Sequence, residues 1–416
     1  MKNTSFLKAV AITAIATFLF SCNSGKSGKG SMIIDVEKAV GKGSVEKLSD
    51  YVKDIRYIPL ETTDSSLLGD ISDICFENGL IYVSDRNDCC KIFDESGKFI
   101  RSIKHIGRGP EEYIGLLDIS INTDNGNIMA LSINGEVVEY TKDGIFVRKI
   151  PKAFKKGGPY SFIPLNKRIF CINCFVYNKD KNPESISYIF DDSLNVLNSF
   201  SSTSGTCKKS SVSSAVAVIY IDPFDTYKFG DEFFVTQGSN DTIYKIAENF
   251  KLAPRYIVNL GKYKDESVRN MLPQETNDLS VITKYPVMYE TNDFLFMKFD
   301  LHALAPESFD REHNIKIPGI NPVEKNTQAC GIYDKKREKF IFLKQPIKGK
   351  LGLMDDIKYG PVFWPCYSTS RGELITYFDA VDLISIAENE GGTYKGISEI
   401  VGNLHENDNP VIVIAR

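Results

Sequence analysis

The sequence predicts an all-β fold, a six-bladed β-propeller of four-stranded antiparallel blades, and three observations lead to it. Short apolar runs separated by turn residues recur in groups of four, roughly every 40 to 60 residues. The turns contain Asn-Gly or Asp-x-x-Gly, in which glycine supplies the positive φ of a tight hairpin. Strand candidates near the two ends of the chain can pair in one sheet and close a ring, which removes open edges.

The chain begins with the pattern of an export signal. Lys2 and Lys8 precede an apolar run at 9–20, which is too short to span a bilayer as a mature helix. Cys22 follows directly, so the segment resembles a bacterial lipoprotein signal, in which this cysteine is lipidated and becomes the first mature residue. We therefore expect a signal peptide at 1–21 and a lipid on Cys22. The alternative is an ordinary cleaved secretory signal.

Composition predicts how the rest of the chain is organised. Glycine, serine and lysine after the cysteine predict a flexible tether at 22–44, and the propeller is expected at 45–416. The formal net charge is −4, and no lysine or arginine run forms a stripe for a phosphate backbone. We therefore expect no nucleic acid partner. The residues after Cys22 carry no acidic run of the kind associated with surface display, so the expected location is the outer membrane, facing the periplasm.

The first two blades are the most regular. Hairpin turns at Asn78-Gly79 and Asp143-Gly144 separate alternating apolar runs, as tight turns between strands require. The predicted strands of these two blades are 71–76, 80–84, 89–93 and 98–103, then 117–121, 128–132, 136–140 and 145–150.

The later blades keep the same order with longer insertions. Their predicted strands are 160–163, 168–175, 186–190 and 196–200, then 226–229, 232–236, 242–246 and 254–259, then 287–290, 294–300, 328–333 and 339–343. A sixth blade starts with 362–367 and 373–378, and its outer strands are expected from 411–415 and 52–60. Helices are expected near 265–272, 382–389 and 397–404.

Three motifs carry a resemblance to a known family. They are Tyr57-Ile-Pro-Leu-Glu-Thr-Thr63 before the first blade, Gly107-Arg-Gly-Pro-Glu-Glu-Tyr113 after it, and Asn409-Pro410 before the last strand. From about residue 45 onward the chain resembles the six-bladed β-propeller lipoproteins of Gram-negative gut anaerobes, of NHL- or TolB-like type, whose function is largely unassigned. The resemblance implies the fold and the lipid anchor, and it implies no particular activity.

One face of the propeller is predicted to carry the long insertions. Loops between the second and third strands of a blade share a face with loops that lead to the next blade, and we call it the long-loop face. The loops expected there are 85–88, 105–113, 205–223, 262–285, 301–327 and 344–361. Because long loops on a rigid scaffold usually carry binding sites, we expect a ligand or partner on this face. The alternative is that the loops only cap the channel.

Polar residues in these loops are the candidate ligand-binding side chains. They are Asp85, Arg86, Asn87, Arg108, Glu111, Asn240, Asp241, His302, Asp310 and His313. The aspartates and asparagines near 85 and 240 offer the oxygen ligands that calcium prefers, from equivalent loops of the first and fourth blades. The same residue types are also ordinary turn formers, and His302 and His313 are as easily solvated as metal-bound. Calcium is therefore a possible cofactor, and no other is expected.

The glycine-rich segment 107–113 has two interpretations. It lacks the third glycine and the following helix of a dinucleotide-binding loop, and no Walker loop is present. A tight crossover between blades is favoured, with Arg108 and Glu111 at the channel mouth as the alternative. Aromatic residues near the same face, of which Tyr367 is one, can stack on a ligand or fill the core.

The sequence favours binding over catalysis. No Gly-x-Ser-x-Gly nucleophile elbow occurs in the chain. The expected function is therefore a lipid-anchored binding module for an envelope protein or for a glycan or peptide ligand. The alternative is a calcium-dependent hydrolase or lyase that acts on a carbohydrate, lactone or ester at the channel mouth. A third hypothesis is ligand sensing for a nutrient-uptake system.

Overall fold

The architecture is the predicted one, six four-stranded antiparallel blades around an axis. The structure is a computed structural model that describes residues 30–85, 89–152, 154, 157–177, 183–201, 222–265, 278–306, 309–312, 323–389 and 395–416. Strands are numbered along the chain, and two of them precede the first complete blade. They are β1 (Met32–Asp35) and β2 (Ile55–Pro59).

In blades 1 to 3, the four strands follow one another from the axis outward. Blade 1 contains β3 (Ile71–Glu77), β4 (Leu80–Asp85), β5 (Cys89–Asp94) and β6 (Phe99–Ile103). Blade 2 contains β7 (Leu116–Asn122), β8 (Asn127–Ser132), β9 (Val137–Tyr140) and β10 (Phe146–Ile150). Blade 3 contains β11 (Gly158–Pro164), β12 (Ile169–Tyr177), β13 (Pro183–Asp191) and β14 (Val196–Ser201).

Blades 4 and 5 each depart from the plain four-strand meander. Blade 4 contains β15 (Phe224–Phe229), β16 (Glu232–Gln237), β17 (Thr242–Ile246) and β18 (Leu252–Asn259), with β1 added outside β18. Blade 5 contains β19 (Thr283–Glu290), β20 (Phe294–Asp300), β23 (Gln328–Asp334) and β24 (Lys339–Phe342). A separate hairpin, β21 (Phe309–Glu312) with β22 (Val323–Asn326), is inserted between β20 and β23.

Blade 6 closes the ring with strands from both ends of the chain, as predicted. It contains β25 (Tyr367–Ser368), β26 (Leu374–Phe378), β27 (Val411–Ala415) and β2 on the outside. The pairing of β2 with β27 is antiparallel, and Ile55 lies opposite Ala415. The inner strand is shorter than the predicted 362–367, because Phe363 pairs with Leu353 and Pro365 has no N–H to donate.

The N-terminal segment 32–48, which we call the belt, belongs to the folded body. β1 pairs in parallel with β18, and the belt then passes the outer strand of blade 5, where the Ser44 N–H donates to the carbonyl of Phe342 (3.3 Å). The side chains of Ile34 and Val36 are fully buried. The predicted tether 22–44 is therefore too long at its C-terminal end, because apolar residues of the belt find places in the core.

Two short helices lie in the long connection between β26 and β27. They are α1 (Ala380–Asn389) and α2 (Ser398–Gly402), close to two of the predicted helices. The third prediction, at 265–272, lies outside the described residues except for its first residue. Within the described part of the chain, no helix has the length and apolar character needed to cross a membrane.

Asn409 links two of the motifs singled out in the sequence. Its side-chain Nδ2 donates to the carbonyls of Glu61 (2.8 Å) and Ser66 (2.9 Å), and its Oδ1 accepts from the Leu68 N–H (2.8 Å). Asn409 is 2% exposed, so these bonds are shielded from water. The motif before the last strand thus holds the loop that leads from β2 into blade 1.

Candidate functional site

A cavity of about 250 Å³ lies on the propeller axis. Residues from the inner strand of every blade line it, since its wall includes parts of β3, β7, β11, β15, β19 and β25. The wall reaches the ends of these strands at Glu77, Thr123 and Lys228, on the face with the short hairpin turns. We call this space the axial cavity. It differs from the predicted site, which was placed in the long loops.

Three aspartates occupy the half of the axial cavity nearer the long-loop face. Asp73 and Asp118 are each the third residue of their inner strand, and Asp225 is the second residue of β15. A break in strand register directly precedes Asp73 and Asp118, as it does Ser161 in blade 3. Such bulges redirect the side chain that follows them. They account for the polar side chains that blades 1, 2 and 3 direct into the same cavity, namely Asp73, Asp118 and Ser161.

Asp73 and Asp118 form a hydrogen-bonded carboxyl pair between blades 1 and 2. Asp118 accepts a hydrogen bond from the Phe162 N–H of blade 3 (2.8 Å), and Asp73 from the Ile74 N–H (2.8 Å). Burial raises the pKa of Asp73 to about 6. Burial, with the charge of Asp73, holds the pKa of Asp118 well above its usual range. The pair therefore retains a proton more readily than free carboxyls would.

The third aspartate of the cavity, Asp225, lies on blade 4, far along the chain from Asp73 and Asp118. Burial raises the pKa of Asp225 to about 6, and the nearby charge of Lys284 opposes that rise. Lys284 is itself 2% exposed, and its Nζ donates to the Thr236 hydroxyl (3.2 Å) and the Gln237 carbonyl (2.7 Å). A buried lysine thus stands behind the wall at this point.

The opposite end of the axial cavity carries mixed charge. The Nζ of Lys228 donates to the Thr123 hydroxyl (2.5 Å) and lies 5.4 Å from the ring centroid of Phe233. Burial raises the pKa of Glu77, while the charges of Arg371 and Lys228 lower it. The one lysine of the wall is therefore engaged away from the aspartates.

Aromatic rings and thiols complete the wall. Tyr227, Tyr289 and Tyr367 line the cavity, and the Tyr367 hydroxyl lies 3.1 Å from the sulfur of Cys75. Cys366 also lines it and is a free, exposed thiol. Of the aromatic residues proposed from sequence to stack on a ligand, Tyr367 thus reaches the cavity.

Asp85 and His302, two of the predicted site residues, are buried and make structural contacts. Asp85 ends β4, is 3% exposed, and accepts from the Gly69 N–H (3.1 Å) beside Lys91. His302 is 6% exposed, and its Nε2 lies 3.2 Å from the Thr283 hydroxyl. Burial lowers the pKa of His302. Neither residue lines the axial cavity.

Residues 107–113 form a tight crossover from blade 1 to blade 2. The Gly107 N–H donates to the Tyr113 carbonyl (2.9 Å), and the Glu112 carboxylate accepts from the Gly109 N–H (2.7 Å). A Cβ on Gly107 would displace the Glu112 carboxylate that accepts this bond. Arg108 and Glu111 lie in this turn and do not line the axial cavity.

Asn240 and Asp241 form the turn between β16 and β17. The Asn240 side chain accepts from the Thr242 N–H (2.9 Å), which is a local turn bond, and the Asp241 carboxylate lies 2.8 Å from Lys264 Nζ. The described members of the predicted calcium set thus have lysine or backbone partners. The other predicted site residues fall outside the described part, as residues or as side chains, namely Cys22, Arg86, Asn87, Asp310 and His313.

The described residues offer no ready-made metal centre. Among them, no group of three or more histidine, cysteine, aspartate or glutamate side chains is placed to hold a metal ion. The described cysteines are free thiols, and all but Cys366 are buried. What the axial cavity can do chemically is accept hydrogen bonds and positive charge at its aspartate end and contact a ligand through aromatic faces.

Comparison with known proteins places the fold and leaves the activity open. A solved protein of Bacteroides fragilis NCTC 9343, assigned as exported, is similar at 17% identity with a TM-score of 0.57, covering 92% of this chain and 99% of its own. A DUF4221-family member from Bacteroides vulgatus ATCC 8482 is 10% identical with a TM-score of 0.42, covering 88% and 96%. No curated protein matches. The model of DUF4934, a domain of unknown function, matches residues 31–416, and the chain therefore belongs to the DUF4934 family.

Proposed function

We propose that this protein is an exported, lipid-anchored binding module that holds a small ligand in its axial cavity. The observation that carries the proposal is the cavity itself, about 250 Å³ in volume and lined from all six blades. Concave sites that combine apolar walls with a few convergent polar groups are the usual place for small ligands. A protein partner on the long-loop face stays a prediction.

Export and anchoring are supported by the sequence before the folded body. The basic start, the apolar run 9–20 and Cys22 have the order of a lipoprotein signal. The similar protein from Bacteroides fragilis is assigned as exported. Mass spectrometry of the mature N-terminus tests this part. A lipid-modified Cys22, with release of the Cys22→Ser variant from membranes, is the expected result, and an unmodified N-terminus elsewhere contradicts it.

A ligand screen by thermal unfolding tests the binding site. Ser120 lines the axial cavity, so Ser120→Phe should fill part of it, whereas Ser199→Phe places the same ring on the exposed outer strand β14. We expect a ligand that raises the unfolding temperature of the native protein and of Ser199→Phe but not of Ser120→Phe. A ligand that stabilises all three equally binds elsewhere and contradicts the proposal.

A further inference from the structure

The wall of the axial cavity carries more acidic than basic side chains. Asp73, Glu77, Asp118 and Asp225 line it, and Lys228 is the one basic residue among the lining residues. Lys228 is engaged with a hydroxyl and a ring at the opposite end of the inner strands. The aspartate end therefore lacks a cation of its own inside the cavity. A ligand that carries positive charge would complement it.

The remaining wall favours a cation independently of the aspartates. Tyr227, Tyr289, Tyr367 and Phe162 all line the cavity, and the faces of such rings attract positive charge. Behind the wall, Asn173 is 1% exposed and donates to the hydroxyls of two lining residues, whereas its Oδ1 has no hydrogen-bond partner among the described residues. The cavity wall thus offers carboxyl groups and aromatic rings to a cation.

The size of the cavity and the placement of its acids favour an organic cation over a metal ion. A volume of about 250 Å³ holds roughly eight waters at the ~30 Å³ each takes in the liquid, which suits a molecule of several heavy atoms. In the described part of the chain, the acidic side chains do not converge as the ligands of one metal ion must.

We propose that the axial cavity binds a small organic molecule whose ammonium group lies at the end of the cavity that carries Asp73, Asp118 and Asp225, with its carbon skeleton against the aromatic wall. This rests on the proposed function, because it names the ligand class of the same cavity. The ammonium group donates to the carboxylates, and the charge-assisted bonds replace water that the ligand displaces.

Titration calorimetry on the mature lipoprotein in detergent tests the proposal with matched probes. The probes are 1,4-diaminobutane against 1,4-butanediol, glucosamine against glucose, and calcium chloride alone. Asp118→Asn prevents this group from ionising beside a bound cation and keeps an acceptor for the Phe162 N–H, and Asp225→Asn repeats the change in blade 4. Asp143→Asn is the control, because that side chain is half exposed and lies outside the cavity wall.

We expect an amine probe to bind the native protein and Asp143→Asn with the same affinity, and to bind either cavity variant at least tenfold more weakly. The uncharged match of that probe should not bind. Equal binding of amine and uncharged match overturns the proposal, as does an amine affinity that Asp118→Asn and Asp225→Asn leave unchanged. Binding of calcium alone, lost in the same variants, also overturns it.

Protection of Cys366 from a small maleimide separates this proposal from the proposed function. Desolvation by the protein around the cavity raises the pKa of this accessible thiol to about 11, so labelling is slow and is followed over hours by mass spectrometry. If amines fail but an uncharged sugar or a peptide protects Cys366, the ligand class is wrong and the binding cavity stands. If no probe in a broad screen protects it, both proposals fail.

Discussion

A buried ion pair of blade 5, which two tyrosines of blade 4 contact, provides a sharp test of how these two blades pack. Glu290, at the end of β19, is 1% exposed and accepts hydrogen bonds from the hydroxyls of Tyr227 (2.9 Å) and Tyr256 (2.7 Å). Lys335 Nζ donates to the same carboxylate at 2.6 Å, and the lysine side chain is 10% exposed. Burial lowers the pKa of Lys335, and the charge of Glu290 opposes that shift.

Glu290→Gln leaves the lysine charge buried without its counter-ion. Breaking one partner of a buried pair costs about 3 to 5 kcal/mol in the free energy of unfolding. The matched control is Glu232→Gln, whose pair with Lys245 is about 40% exposed on both sides and is therefore worth less than about 1 kcal/mol. Removing the lysine charge as well, with Lys335→Met, should recover much of the loss, because no unpaired charge then stays buried.

Urea unfolding followed by circular dichroism measures these free energies for the native protein and the three variants. We expect Glu290→Gln to lose about 3 kcal/mol or more relative to Glu232→Gln. If the two single variants differ by less than about 1 kcal/mol, Lys335 is not held in a dry site, and the reasoning about the blade 4–5 interface is refuted.

Three further predictions concern separate parts of the fold. Because the pKa of Asp118 is raised in the folded state, the folded protein binds a proton more tightly than the unfolded chain, and Asp118 destabilises the fold as pH rises from about 4 through neutrality. Asp118→Asn should therefore raise the unfolding temperature at pH 8 and leave it unchanged at pH 4. Equal shifts at the two pH values would contradict this prediction. In urea unfolding, Gly97→Ala should lower the free energy of unfolding by clearly more than the ~1 kcal/mol expected of Gly79→Ala. Both glycines have positive φ, but only a Cβ at position 97 meets backbone atoms of the ring-closing strand β2. Equal losses for the two variants would rule that clash out. Ile34→Ala should destabilise by about 2 to 4 kcal/mol and Ile33→Ala, which is 60% exposed, by less than about 0.5, whereas a belt that behaves as a tether would make both neutral.

The strands could be predicted because their signals are local. Asn78 and Gly79 have φ of 53° and 78°, which is the backbone that an Asn-Gly hairpin turn requires, and the sequence shows both the turn and the alternation beside it. Closure of the ring by strands near both ends of the sequence could be predicted because the sixth blade lacked its two outer strands and two strand candidates remained. Most of the belt was predicted as part of the tether, because residues 22–31 have the composition of a linker and the apolar run Met32-Ile33-Ile34 directly after them is short.

The axial cavity could not be located because its residues meet only when the ring forms. Asp73, Asp118 and Asp225 lie on three different strands, far from one another in the chain, and each strand contains other polar residues. One signal was present. Asp-Ile occurs at the same place in the inner strands of blades 1 and 2, as Asp73-Ile74 and Asp118-Ile119, and a repeated acid at an axial position is unusual where only packing is needed. Loop length, by contrast, pointed to the long-loop face, where a binding partner stays a prediction.

Ring closure by β2 and β27 sets a condition on the order of folding. β2 is made early, yet its partner β27 follows all the other strands of the ring along the chain, so the outer strand of blade 6 has no partner strand until β27 is synthesised. Cooperative closure thus waits for β27, and loop-closure entropy makes that step slow. A product that lacks residues 411–416 would keep five blades and lose the ring. An affinity tag is therefore better placed far from Arg416, whose backbone hydrogen-bonds to Asp54 in both directions.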